Sequence, residues 1–79
     1  MDQAPAFTDT HADGRPLTWD DLLPGDLVQV FVGRWPYDTE FADVLESRGR
    51  NVAVRFERRY GTRWVPHSRI ASILRPVPQ

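Results

Sequence analysis

Apolar and polar residues alternate through most of the chain, and they do so in short runs. Leu27–Val32 (LVQVFV) places Val28, Val30 and Val32 on one face and Leu27, Gln29 and Phe31 on the other, which is the period of a strand. Glu40–Ser47 (EFADVLES) repeats the pattern, with Ala42 and Val44 on one side and Phe41, Asp43 and Leu45 on the other. Asn51–Arg58 predicts a third strand, with Val52, Val54 and Phe56 inward and Ala53, Arg55 and Glu57 outward. Thr62–Val65 is a fourth, ended by Pro66, and Ala71–Leu74 a short fifth.

Turn chemistry separates these runs. Gly33–Thr39 (GRWPYDT) reads as a loop, because Gly33, Pro36 and Asp38 oppose a strand through it. Arg48-Gly49-Arg50 reads as a tight turn in which Gly49 is free to take positive φ. Arg59-Tyr60-Gly61 turns the chain again, and His67–Ile70 reads as one 3₁₀ turn. Ahead of the strands, Leu17–Leu23 (LTWDDLL) predicts one helical turn. Thr18 is its N-cap, Asp20 and Asp21 lie at its positive end, and Pro24-Gly25 stops it. Trp19, Leu22 and Leu23 are expected to plug one end of the fold. Residues 1–16 and 77–79 show no periodicity and are expected to be tails, the first acidic and disordered, with His11 solvated there.

Five hairpin-linked strands predict an all-β domain over residues 17–76: a small five-stranded SH3-like barrel, with an OB-fold as the structural alternative. The 3₁₀ turn before the last strand favours the SH3-like topology. Seventy-nine residues limit the chain to one domain. The absence of Cys removes disulfides and thiolate metal sites, so the aromatic residues are expected to supply core. No apolar run reaches the roughly 20 residues that span a bilayer, and the N-terminus lacks the basic and apolar regions of a secretory signal. The expected location is cytoplasmic. Met1 and the proline-punctuated end suggest a stand-alone protein rather than an excised domain.

Charge changes the picture. Residues 1–46 hold ten acids and two Arg, residues 47–79 eight Arg and one Glu, so a net charge of −1 conceals halves of −8 and +7. Six arginines, Arg48, Arg50, Arg55, Arg58, Arg59 and Arg63, fall on one hairpin and its turns against Glu57 alone. Such a hairpin suits a nucleic-acid backbone or another polyanion, with nearby aromatic rings available to stack on bases. The competing reading is a solvated strand face with cross-strand ion pairs, or one covered by Asp9, Asp13, Asp20 and Asp21.

Gly25-Asp26-Leu27-Val28, Ala42-Asp43-Val44, Val54-Arg55-Phe56, Tyr60-Gly61-Thr62 and Trp64-Val65-Pro66-His67-Ser68-Arg69-Ile70 follow one another in an order that resembles a Tudor domain, an SH3-like barrel. The resemblance covers about Leu23–Leu74. It implies a binding module, with an aromatic cage for methylated Arg or Lys as the family's device. Phe56 and Tyr60 match two cage positions. Glu40 stands where an aromatic belongs, and Arg59 and Thr62 replace the usual Asp and Asn. Trp35 and Tyr37 in the first loop are the available substitutes. A protein- or peptide-binding surface of Trp35, Tyr37, Phe41, Phe56, Tyr60 and Trp64 is therefore the alternative function. Phe56 is also read as core by its period.

Leu27, Phe31, Phe41, Leu45 and Trp64 form an apolar outward set. It is expected to be covered by strand curvature or by Trp19–Leu23, and otherwise to serve a partner or a weak homodimer. No enzyme is expected. Ser68 beside His67 lacks a third orienting group, two distant His give no metal spacing, and no phosphate loop is present. No cofactor is expected either.

Overall fold

Valine alternation is converted into a core by strand register. The computed structural model describes residues 6–33, 38–58 and 61–77. Among the described residues six antiparallel strands form one sheet: β1 (Phe7–Thr8), β2 (Leu27–Phe31), β3 (Thr39–Arg48), β4 (Asn51–Phe56), β5 (Thr62–Pro66) and β6 (Ile70–Pro76), in the order β1-β6-β2-β3-β4-β5. Val28 lies opposite Ala42 and Ile73, and Val54 lies opposite Val44. One face of the sheet therefore buries Val28, Val30, Ala42, Val44, Val52, Val54, Phe56, Val65 and Ile73. Leu17 and Leu22 complete that core, and Val32, Trp19 and Ile70 pack against it.

Two-residue turn chemistry sets the β3–β4 hairpin. Arg48 pairs with Asn51 across Gly49-Arg50, and Gly49 has φ +59°. Arg50 is not in the positive-φ region, so the pattern is that of a II′ turn, which takes Gly first. A bulge between Val44 and Glu46 then leaves Leu45 as the extra residue, exposed on β3.

The all-β class stands, with corrections in detail. The sheet has six strands, not five, and it is not closed into a barrel: among the described residues no ladder joins β5 to β1. The 3₁₀ turn His67–Arg69 carries the chain to β2, where Ile70 meets Val30, and β1 takes the other edge of β6. That leaves β5 as an edge. The N-terminal segment is not a disordered tail over its described part. Phe7 and Thr8 pair with Pro76 and Arg75, Thr10 bridges Pro16, and the Leu17 N–H donates to the Asp9 carbonyl at 2.9 Å. Its polar residues find partners in backbone and hydroxyl groups, which a search for apolar periodicity does not register. β4 stops at Phe56 rather than Arg58, and β6 runs from Ile70 to Pro76 rather than from Ala71 to Leu74. The helical turn is the 3₁₀ segment Trp19–Asp21 with Thr18 as N-cap. Leu22 is buried as expected, but Leu23 is exposed.

No helix among the described residues is long and apolar enough to cross a membrane.

Candidate polyanion-binding face

A side chain's face on this hairpin follows from its neighbour across the ladder. Val65 is opposite Val52 and turns into the core, so Trp64, opposite Ala53, must turn out. Trp64 is 49% exposed. Arg48 shares that outer face at the end of β3, and its guanidinium lies 5.6 Å from the Trp64 ring centroid, a cation–π distance. Arg48, Asn51 and Trp64 line a shallow groove of about 250 Å³. Arg55 emerges on the same face, opposite Thr62 on one side and Asp43 on the other.

Both arginines have carboxylate neighbours. Arg48 Nη2 is 2.6 Å from Glu46 Oε1, and Arg55 Nη2 is 3.8 Å from Asp43 Oδ2. Cross-strand and near-neighbour ion pairing thus operates through Asp43 and Glu46. All four side chains are well exposed, so each pair is worth at most about 1 kcal/mol and is open to exchange for another anion.

The remaining predicted arginines do not form one row. Arg50 sits exposed on the hairpin turn, where its carbonyl accepts a hydrogen bond from the His67 backbone N–H at 2.8 Å. Arg58 lies in the turn after β4 and lines a groove with Thr39, Glu40, Phe41 and Glu57. Arg63 is opposite Val54, so it leaves the sheet on the face away from Arg55. One hairpin thus carries Arg55 and Arg63 on opposite faces, because residues on adjacent strands share a face only when the register makes them partners or places them two apart. Arg59 lies outside the described residues, as do Tyr60, Trp35 and Tyr37.

The aromatic set divides in the same way. Phe56 is opposite Ala42 on the core face and is 6% exposed, whereas its neighbour across the ladder step, Phe41, is 41% exposed on the outer face. These two rings cannot line one cage. Of the aromatic candidates within the described residues, Trp64 is the one associated with an arginine of the outer face. The expected cover over the outer apolar set is incomplete: Phe41, Leu45 and Trp64 remain exposed, and Trp19 packs toward the core instead.

Asp13 and Asp21 pair within the N-terminal segment rather than with the arginines of the hairpin. Asp13 accepts hydrogen bonds from the Arg15 backbone N–H and Nε at 3.1 and 2.8 Å, which hold its carboxyl below the usual range. Asp21 Oδ2 accepts from the Thr18 N–H at 2.9 Å and the Thr18 hydroxyl at 3.0 Å, and lies 3.0 Å from His11 Nε2. The Thr18 N–H contributes most, and with the His11 and Thr18 side-chain bonds it lowers the Asp21 pKa to about 2. His11 is thus half-buried and engaged rather than solvated. The aromatic contact of His67 with Trp19, centroids 4.3 Å apart, pins the second 3₁₀ turn to the first.

Sequence reasoning missed the ion pair of Asp26 with Arg75. Its available signal was an acid held between a Pro-Gly turn and an apolar strand, a place that buries whatever occupies it.

Comparison with protein-family models, with curated proteins and with solved structures returns no match.

Proposed function

We propose that this chain is a non-catalytic binding module that contacts single-stranded nucleic acid or a comparable polyanion through the outer face of the β3–β4–β5 hairpins. The observation that carries this reading is the exposed Trp64 ring with the Arg48 guanidinium over it and Asn51 beside it. A flat exposed ring offers a stacking platform for a base, and the guanidinium offers a phosphate contact next to it. Arg55 on the same face and Arg50 on the adjoining turn extend the cationic surface. An incoming phosphate would take Arg48 and Arg55 from Glu46 and Asp43, whose hold on them is weak. An SH3-like, Tudor-like architecture belongs to the same reading. It is supported by five strands that neighbour one another in the order β6-β2-β3-β4-β5, with a 3₁₀ turn leading into β6.

Fluorescence anisotropy with a labelled single-stranded oligonucleotide tests this. Three phosphate contacts on a single strand predict an affinity that falls about 20-fold between about 50 and 200 mM salt. Arg48→Ala and Trp64→Ala should each weaken binding. No binding at the lower salt, or binding indifferent to salt, removes the reading.

A second reading rests on the exposed Phe41 and Leu45: a protein-interaction adaptor that covers this apolar patch with a peptide. Shift mapping with dimethylarginine, trimethyllysine and hydrophobic peptides tests it, and unmoved Phe41 and Leu45 resonances would end it.

A further inference from the structure

On the other side of the same hairpin, the ends of β2 and β5 leave a groove of about 140 Å³ whose lining includes Val30, Val32, Phe56, Val65, Arg63 and Arg69. Val30, Phe56 and Val65 are core residues, so the floor is apolar and fixed in place. Among the described residues that line it, both charged side chains are guanidinium groups. We propose that this groove binds a compact oxyanion, a carboxylate or phosphate, carried on an apolar group.

Charge complementarity makes the case. Arg48 and Arg55 on the outer face each have a carboxylate within ion-pair distance, as does Arg75 at the far end of the sheet. Neither Arg63 nor Arg69 is paired with a described carboxylate. Asp38 lies beside Gly33, its Oδ2 3.1 Å from where a Cβ on Gly33 would stand, and it too pairs with neither arginine. Two cations over an apolar floor repel a methylated Lys or Arg and attract an anion that can fork onto them. Both arginines are anchored by the backbone. Arg63 is set by its pairing opposite Val54. Arg69 closes the 3₁₀ turn, which the His67 N–H ties to the Arg50 carbonyl at 2.8 Å and His67 ties to Trp19 by stacking. The small volume suits one anionic group with a ring or a branched aliphatic stem. This site lies on the face opposite Trp64 and does not depend on the outer-face reading.

The test is a ¹H–¹⁵N NMR titration with phenyl phosphate, benzoate, inorganic phosphate and benzyl alcohol. The proposal expects phenyl phosphate or benzoate to shift the amides of Val30, Val32, Gly33 and Val65. Inorganic phosphate should bind more weakly and benzyl alcohol should leave these amides in place. Arg63→Gln and Arg69→Gln should each weaken the response at least about 5-fold, the scale of losing one charged contact, while Arg48→Ala leaves it unchanged. Dispersed spectra of the variants establish that they fold. The proposal is overturned if none of the anions moves these amides, or if benzyl alcohol binds as well as phenyl phosphate. It is equally overturned if the Gln variants bind as tightly as the parent.

Discussion

Asp26 and Arg75, 49 residues apart in sequence, meet in a two-pronged ion pair: Arg75 Nε donates to Asp26 Oδ1 at 3.0 Å and Nη2 to Oδ2 at 2.9 Å. Asp26 is 2% exposed, and its Oδ2 also accepts the Leu23 N–H at 2.9 Å. Arg75 reaches on to the Asp21 carbonyl, so one guanidinium joins β6, the start of β2 and the first 3₁₀ turn. Its hydrogen bonds to Asp26 hold its proton more tightly than usual. Removing Arg75 strands a buried carboxylate, so Arg75→Met is expected to destabilise the fold by about 2–4 kcal/mol. Replacing both partners, as Asp26→Leu with Arg75→Met, should cost less than the sum of the single changes. Urea unfolding of the four proteins measures the coupling, and additive costs would show that the pair acts as two independent side chains.

Acid should loosen the N-terminal segment. Asp21 titrates near 2 in the folded protein against an ordinary value of 3.8, because the Thr18 N–H, His11 and the Thr18 hydroxyl favour its charged form. A depressed carboxyl contributes stability that is complete above the ordinary value and is lost as pH falls from about 4 toward 2. Amide exchange of Leu17 and Thr18 should quicken over that window beyond the intrinsic pH dependence. In Asp21→Asn the segment should be loose already at neutral pH and should lack this acid transition. An unchanged transition in the variant would assign it to another carboxyl.

Gly49 is a conformational requirement rather than a packing one. A Cβ there would meet nothing within 4 Å, yet φ is +59°. Gly49→Ala should therefore cost about 1–2 kcal/mol through backbone strain alone. Gly49→Asn should cost less, since Asn tolerates this region better. Thermal unfolding of the two variants compares them, and equal stability of the Ala variant and the parent would mean that the turn rearranges.

Opposite faces of the sheet should respond differently to truncation. Val54 is fully buried, and Val54→Ala should cost about 2–3 kcal/mol by transfer and cavity together. Phe41→Ala removes a larger side chain but one still open to solvent, and should cost about 1 kcal/mol or less. Denaturant unfolding ranks them. A Phe41 variant less stable than the Val54 variant would mean that the outer face is a second core.

These two faces also show what could be read in advance. The period-2 placement of Val28, Val30, Ala42, Val44, Val52, Val54 and Phe56 named the core correctly, because burial on one face needs only strand alternation. Gly49 was legible for a similar local reason. Register was not: whether Arg63 sits opposite Val54 or beside Arg55 depends on turn length, and one residue of slip moves it to the other face. The Asp26–Arg75 pair and the docking of Phe7–Thr8 on β6 escaped because they join distant segments through polar groups that carry no periodicity. On the functional side, Arg48, Arg55 and Trp64 converge as a surface, whereas Phe41 and Phe56 were brought together by sequence pattern and are separated by the sheet.

The most direct measurement of the central claim is a ¹H–¹⁵N titration with a short single-stranded DNA at low salt, repeated with salt added. Binding through the outer face predicts shifts at Arg48, Asn51, Ala53 and Arg55 and at the Trp64 indole N–H. The affinity should fall by about 0.7 log units per phosphate contact for each tenfold rise in salt. An unmoved Trp64 indole at low salt, or shifts that salt does not weaken, would contradict it.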